Sequence, residues 1–551
     1  MTTLEFLRAE LAPAPGRLHA TIRVVVATMI VLATSMTLEV PEIALSLFIV
    51  LFITMMVPGV STQNSVFVAI GGIIAIIALT VALATTMLVY RFTMDYPPLR
   101  LAAMALGFFV GIYLSRVFVL GAAGWVFAFI VLVTQAYVDI FPGPEATVRA
   151  ILWVWVVIAY PAVLAIALGL LLLPADPEPL LRRELAARRD AVARALKAPP
   201  GSDEAKAAAA ALIGFMLQGA APLQKLLHLA GIKDSAMKAR HAEISARIDY
   251  IQDLVASAAR LGDLAPEAAA AERERIGGFL AQGAAPSAGE HAAEHAEKGA
   301  KSGPGPFVAD AFSNPRYVQF ALKVTLTAML CYVTYTALDW PGIHTCMMTC
   351  AIIALGSAGA TMHKGTLRLI GVAIGGTLAL FAIVFIVPHI TSLPALMLVV
   401  APVTALGAWV AMGNERTAYI GLQIAFSFYL AVLQDFAPST DVTEFRDRIV
   451  GVILAIAVMA LVFTWVWPER AASSMVESLR TALGRLKELA AGTANPRAVR
   501  AAAWQSLADA EHFAELAAFE AETTTSAGAA HRRRIIGLID RTKRALLLQP
   551  V

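Results

Sequence analysis

Two trains of apolar runs, six in each, dominate the chain. The first comprises Ala20–Leu38, Pro41–Val57, Ser65–Tyr90, Leu99–Ser115, Val117–Tyr137 and Val148–Leu173. The second comprises Val318–Leu338, Pro341–Leu355, Thr366–Val387, Leu393–Met412, Thr417–Leu433 and Ile449–Trp467. Most approach the roughly 20 apolar residues that carry a helix across hydrocarbon. The runs are continuous, with no period-two alternation, which excludes a transmembrane β-barrel. The pattern predicts an all-α polytopic membrane protein, and the run from Pro341 is its shortest member.

Between the trains, over 175–312, the pattern turns amphipathic. Apolar residues recur at spacings of three and four, as in Ile244, Ile248, Ile251 and Leu254, which predicts bundled soluble helices. Gly283–Pro306 is rich in Gly, Ala, Ser and Pro and reads as a linker. The predicted organisation is a first six-helix membrane unit over 1–174, a helical domain with linker over 175–312, a second six-helix unit over 313–468, and a soluble helical region over 469–551. Composition agrees. Of 551 residues, 58% are hydrophobic and 15% charged, and mean hydropathy is +0.71. A soluble domain is about 45–50% apolar and about 25% charged. A net charge of +3 leaves no basic footprint for nucleic acid, and three cysteines build no disulfide framework.

The halves align at an offset near 300 residues. Arg23 faces Lys323, Leu38-Glu39-Val40-Pro41 faces Leu338-Asp339-Trp340-Pro341, and Val68-Ala-Ile-Gly-Gly72 returns as Val372-Ala-Ile-Gly-Gly376. Arg116 matches Arg416, and Asp139 matches Asp435. Basic residues ahead of the first run invite a cleaved-signal reading, but the repeat makes that run a permanent helix. An even number of helices per half predicts a parallel repeat about an axis along the membrane normal. One set of loops is rich in Arg and Lys, including Arg8, Arg17, Arg116, Arg182, Lys364 and Arg416. The opposite set carries Glu39, Glu42, Asp139, Glu145, Asp339, Asp435, Asp441 and Glu444, with Arg91, Arg100, Arg446 and Arg448 as exceptions. Basic loops mark the cytoplasm, so both termini and the central domain are expected there.

With six helices, a helical insert and six more helices, the chain resembles the fusaric acid resistance and aromatic acid exporter family. The residues that carry the resemblance are the basic position in each half's first helix with the Leu-acidic-x-Pro that follows, and His363-Lys-Gly-Thr-Leu-Arg368 ahead of Gly371 and Gly375-Gly376. Each half is also similar to the six-helix unit of plant aluminium-activated malate transporters. The first half departs from the pattern, with Val60-Ser-Thr-Gln-Asn64 where the second has His363-Lys364. The resemblance implies an inner-membrane exporter of aromatic or hydroxylated carboxylic acids in a two-membrane cell, with a periplasmic adaptor and a second copy of the chain as candidate partners.

An organic anion crossing hydrocarbon needs fixed cations, and Arg grips a carboxylate with two parallel hydrogen bonds. Arg23, Lys323, Arg116, Arg416 and Arg368 are the candidate substrate residues. For each, a plain alternative stands: snorkelling to headgroups or marking topology. Asp139, Asp435, Glu39, Asp339 and His344 are the candidate proton carriers, with solvated loop charges or helix caps as the alternative. Gly371–Gly375 and Gly107–Gly111 have the spacing of close helix packing. His291-Ala-Ala-Glu294-His295 matches a zinc-protease spacing but falls in the linker, and Cys346 and Cys350 read as buried hydrophobes. No P-loop occurs, and no cofactor, metal or enzymatic activity is expected. The reading is a proton-motive-force-dependent exporter of small organic acids, aromatic carboxylic acids foremost. An organic-anion channel and a scaffold acting through its soluble helices are the rivals.

Overall fold

The structure is a computed structural model that describes residues 10–13, 16–55, 65–141, 143–172, 176–199, 201–262, 264, 266–282, 305–414, 416–434, 436, 441–493, 495–520 and 525–548. The readings placed on Val60–Asn64, His291–His295 and Asp435 therefore lie outside the described residues. The helices of the first half are α1 (Arg17–Thr37), α2 (Ile43–Met55), α3 (Ser65–Thr93), α4 (Pro97–Val117), α5 (Gly121–Ile140) and α6 (Pro144–Leu171). Then come α7 (Pro177–Lys197), α8 (Asp203–Gln218), α9 (Ala221–Lys233), α10 (His241–Ala259) and α11 (Pro266–Gln282). The second half has α12 (Pro315–Ala337), α13 (Thr345–Ile353), α14 (Ala358–Phe385), α15 (Leu393–Ala411), α16 (Ala418–Val432) and α17 (Thr443–Trp465), followed by α18 (Ala471–Ala490), α19 (Pro496–Leu516) and α20 (Ser526–Leu548).

Among the described residues, nine helices are long and apolar enough to cross a membrane, and three shorter apolar helices accompany them. Each falls on one of the predicted runs. The protein is an all-α multi-pass membrane protein. Its membrane helices present bare Leu88, Phe92, Leu106, Val163, Phe381, Phe385 and Leu398, an apolar surface that water would not tolerate and lipid does.

The chain divides into two compact units, Met1–Ala175 with Pro304–Glu469, and Asp176–Gly303 with Arg470–Val551. In the second unit α7, α8 and α10 share a core with α18, α19 and α20 through Val192, Leu212, Val255, Met475, Leu507 and Ile539. In the membrane unit the contacts between helices come in matched pairs. α1 packs on α15 and α12 on α4; α2 packs on α6 and α13 on α17; α3 on α5 and α14 on α16; α2 on α16 and α13 on α5.

The Leu-acidic-x-Pro corners are matched as well. α1 and α12 end at Leu38 and Leu338, whose N–H groups donate to Thr34 and Thr334 carbonyls. Glu39 (φ 52°) and Asp339 (φ 51°) then take the left-handed conformation. One residue on, the Val40 and Trp340 N–H groups donate to the Ser35 and Tyr335 carbonyls, each at 3.0 Å. This is a glycine-type helix stop made without glycine, and Pro follows because the helix is over. Both acidic side chains are exposed.

Candidate functional site

Three of the cations inside the membrane unit gather around one helix, α16. α14 is started by Ser357, whose hydroxyl accepts from the Ala360 N–H at 3.1 Å. It then presses its glycines on α16: a methyl on Gly371 would meet Gln423 Cβ at 2.5 Å, and one on Gly375 would run into the Ile424 backbone. Held this close, Arg368 is 2% exposed and donates from Nη1 to the Tyr419 hydroxyl at 2.9 Å. Lys364, one turn earlier, has its ammonium 5.2 Å from the Tyr419 ring centre. From the other side α17 sends Arg448, 4% exposed, with its guanidinium 4.4 Å from the Phe426 ring centre. Arg448 is within electrostatic reach of Arg368, Tyr419 and Glu444.

The polar atoms of this cluster are underused. Nε of Arg368, Nε and Nη2 of Arg448, both amide atoms of Gln423 and the Ser427 hydroxyl are buried with no hydrogen-bond partner among the described residues. Gln423 and Ser427 stand one turn apart on α16 and have no exposed surface. Buried polar atoms are nearly always paired, and each unpaired one costs about 1–3 kcal/mol, more when charged. Donors and acceptors left open at that cost make this cluster the candidate site.

A row of rings leads away from the cluster. Phe426 lies 4.1 Å from Phe48, Phe48 is 5.7 Å from Phe52, Phe52 is 5.6 Å from Trp125, and Trp125 is 5.3 Å from Phe129, centre to centre. The row crosses from α16 to α2 and then α5, so both halves supply it. Trp125 donates its indole N–H to the Ala351 carbonyl at 2.9 Å. It also lines a cavity of about 210 Å³ with Arg116, Ser115, Phe320 and Ala354. There the Arg116 guanidinium lies 4.9 Å from the Phe320 ring centre. The row thus runs from the neighbourhood of one guanidinium to that of another.

The predicted substrate residues are scattered around this arrangement. Arg368 is in the cluster and Arg116 is at the small cavity. Lys323 is 1% exposed and tied elsewhere: its ammonium donates to the Trp467 carbonyl at 3.0 Å, sits 3.8 Å from Glu469 and lies 5.2 Å from the Phe463 ring centre. Arg23 is half-buried in the second turn of α1, and Arg416 is exposed in the loop between α15 and α16. With its charge matched by its own chain, Lys323 acts as a clasp on the Trp467–Glu469 segment. Lys323→Met is expected to lower the thermal midpoint, by the ~3–5 kcal/mol typical of breaking a buried pair.

Among the predicted proton carriers, Asp139 is held fast. It is 3.9 Å from Arg100, and it accepts from Gln135 at 3.1 Å and from the Tyr335 hydroxyl at 3.2 Å. His344 Nδ1 lies 2.8 Å from the Pro341 carbonyl oxygen, and the ring is within electrostatic reach of Arg448. Glu39 lines a cavity of about 590 Å³ with Glu42, Tyr137, Glu145, Arg149 and Trp153. At its rim Glu42, exposed at its surface but crowded by the surrounding protein and facing Glu444, has a carboxyl that titrates above the usual carboxylate range, while a hydrogen bond from Tyr137 pulls the other way. No cluster suited to a metal ion occurs among the described residues.

The substrate residues expected from the sequence do not include Lys364, Gln423, Tyr419 or Arg448, the last of which the sequence offers only as a salt-bridge partner for a proton-exchanging carboxylate. The apolar run starts at Ile449, which puts Arg448 among the charges of the preceding loop. The helix in fact starts at Thr443, which carries Arg448 into its second turn. The overlooked signal was Gln423 and Ser427, two polar residues four apart on one face of an otherwise apolar helix.

Residues 376–538 match the fusaric acid resistance protein family. Over 516 residues, 88% of this chain and 74% of theirs, the chain is 29% identical to multidrug resistance protein MdtO of Escherichia coli O6:H1 and 28% identical to that of Escherichia coli K12. The MdtO protein of Shigella flexneri is 29% identical over 519 residues, with the same shares of both chains. No solved structure matches the chain.

Proposed function

We propose that this chain, whose residues 376–538 match the fusaric acid resistance protein family and which is similar over most of its length to multidrug resistance protein MdtO, exports small organic anions, aromatic carboxylates foremost, across the inner membrane. The observation that carries this is the Arg368–Arg448 cluster, with open guanidinium N–H groups, at one end of a row of rings. A carboxylate takes the open N–H groups with charge-assisted hydrogen bonds. An aromatic body then finds stacking partners in Phe426, Phe48 and Phe52, worth about 0.5–1.5 kcal/mol per ring pair. The name of the curated relatives, multidrug resistance protein, favours outward transport.

The matched helix contacts and matched corners support reading the membrane unit as a duplicated six-helix repeat, with the path at the seam the ring row crosses. The basic loops favour cytoplasmic termini. Arg116 then stands at the cytoplasmic mouth, and the cavity with Glu39 and Glu42 at the outer one. Glu42 and Glu444 are the carboxylates best placed to exchange a proton, since like charges that face each other hold a proton more readily.

The test is flux in proteoliposomes loaded with benzoate, corrected for protein-free leak. The expected result is saturable efflux that an imposed proton gradient accelerates and that ring-bearing acids inhibit better than acetate does. Flux no faster than protein-free leak would remove the transporter reading. Saturable flux indifferent to the proton gradient would remove the coupling and leave a channel.

A further inference from the structure

The charge around α16 does not close. Lys364 and Arg368 on α14 and Arg448 on α17 bring three cations, and among the described residues Glu444 is the carboxylate that acts on Arg448. Asp447, next in the chain to Arg448, is engaged elsewhere: Oδ1 lies 2.8 Å from Arg446 and Oδ2 accepts from the Trp340 indole at 3.0 Å. Tyr419 contributes a hydroxyl and a ring face but no charge. A buried unpaired ion is penalised by several kcal/mol even after relaxation. An organic monocarboxylate would answer that charge only while it is bound. Once it leaves, the two guanidinium groups, within electrostatic reach of each other, repel again.

We propose that a small inorganic anion of the chloride class occupies the Arg368–Arg448 cluster whenever the organic anion has left. The proposal rests on the organic-anion reading of this same site and adds a second ligand and a rule of exclusion between the two. The open Nε and Nη2 groups of Arg448 and the open Nε of Arg368 are its donors, with the Gln423 amide and the Ser427 hydroxyl beside them. A spherical anion needs N–H donors and positive potential, which the open groups of Arg368 and Arg448 offer, and has no use for the ring row. An organic carboxylate needs the same N–H groups in bidentate form. The two compete, so the exit of one is bound up with the entry of the other, and the transport cycle becomes an exchange.

The test uses the full chain, purified in detergent, and reads chloride NMR line width, with benzoate as the organic probe measured separately by calorimetry. Chloride is expected to show saturable broadening that benzoate abolishes and that Arg448→Gln and Arg368→Gln each weaken at least ~10-fold, about 1.4 kcal/mol. Arg446→Gln, whose guanidinium is largely exposed and paired with Asp447, should leave the broadening intact. Should either glutamine variant fail to fold, Arg448→Lys serves. It keeps the point charge and loses the fork, so chloride should persist while benzoate weakens. If benzoate binds in an Arg448-dependent manner and chloride broadening is the same in wild type and variants, exchange falls and organic-anion transport stands. If chloride and benzoate bind together without competition, exchange also falls. If neither binds, both readings fall.

Discussion

Arg448→Gln is expected to abolish organic-anion efflux, by ~100-fold or more, and yet to leave the protein as stable as before or more so. Removing one partner from a buried, hydrogen-bonded charge contact with a ligand costs about 2–5 kcal/mol, and each 1.4 kcal/mol is a factor of ten. The stability half of the expectation runs opposite to the usual fate of a buried residue. Nε and Nη2 of Arg448 find no acceptor among the described residues, while the side chain is 4% exposed. With no anion bound, in chloride-free buffer, the folded state therefore carries the desolvation of a charge without a matching return, and a neutral amide of smaller volume relieves it. Stability set aside at a functional position is a common trade. The measurement pairs proteoliposome efflux with a thermal unfolding midpoint in detergent. A midpoint that drops along with flux would make Arg448 a structural residue and remove it from the site. Lys323→Met supplies the contrast, because Lys323 has the Trp467 carbonyl and Glu469 as partners.

Gly375→Ala should unsettle the same site without touching a charge. A methyl there would collide with the Ile424 carbonyl oxygen and lie 3.0 Å from both the carbonyl carbon and the Cα of Ile424. These are backbone atoms and cannot rotate aside, so α14 and α16 must separate. Overpacking of this kind costs about 1–3 kcal/mol. The separation also pulls Arg368 from the Tyr419 hydroxyl, so efflux should fall together with the thermal midpoint. Gly169→Ala is the control. It meets nothing within 4 Å and should be neutral or stabilising by ~0.5–1 kcal/mol through helix propensity. Equal midpoints for the two variants would show that the close approach of α14 and α16 does not hold the site.

The membrane helices were legible because lipid imposes a length and a composition on every span, and those leave a direct mark on the sequence. The corners at Glu39 and Asp339 were legible as a motif, although their chemistry was not. Their acidity suggested proton carriage, whereas the structure sets them, exposed, at the left-handed turn that ends a helix, where a short polar side chain is tolerated. Recurrence across the halves favoured Lys323 and Arg416 over Arg448, while Arg368, the one predicted residue in the cluster, stood out by its place in a motif that the first half lacks. Arg448 escaped because hydropathy finds where apolar residues begin, and a helix can begin several residues sooner. Which of several buried cations lacks a partner is a matter of tertiary geometry, so Lys323 and Arg448 look alike until Trp467 is placed beside one of them.

The crossed contacts of α1 with α15 and of α12 with α4 bear on biogenesis. Thr37 leaves the ribosome long before Leu393, so the opening helix waits in the bilayer for a docking surface not yet synthesised. The earlier bundle likewise keeps a vacancy on α4 until α12 arrives. Neither half is a finished object. Made as two separate polypeptides, they should be cleared by quality-control proteases when expressed singly and persist when expressed together.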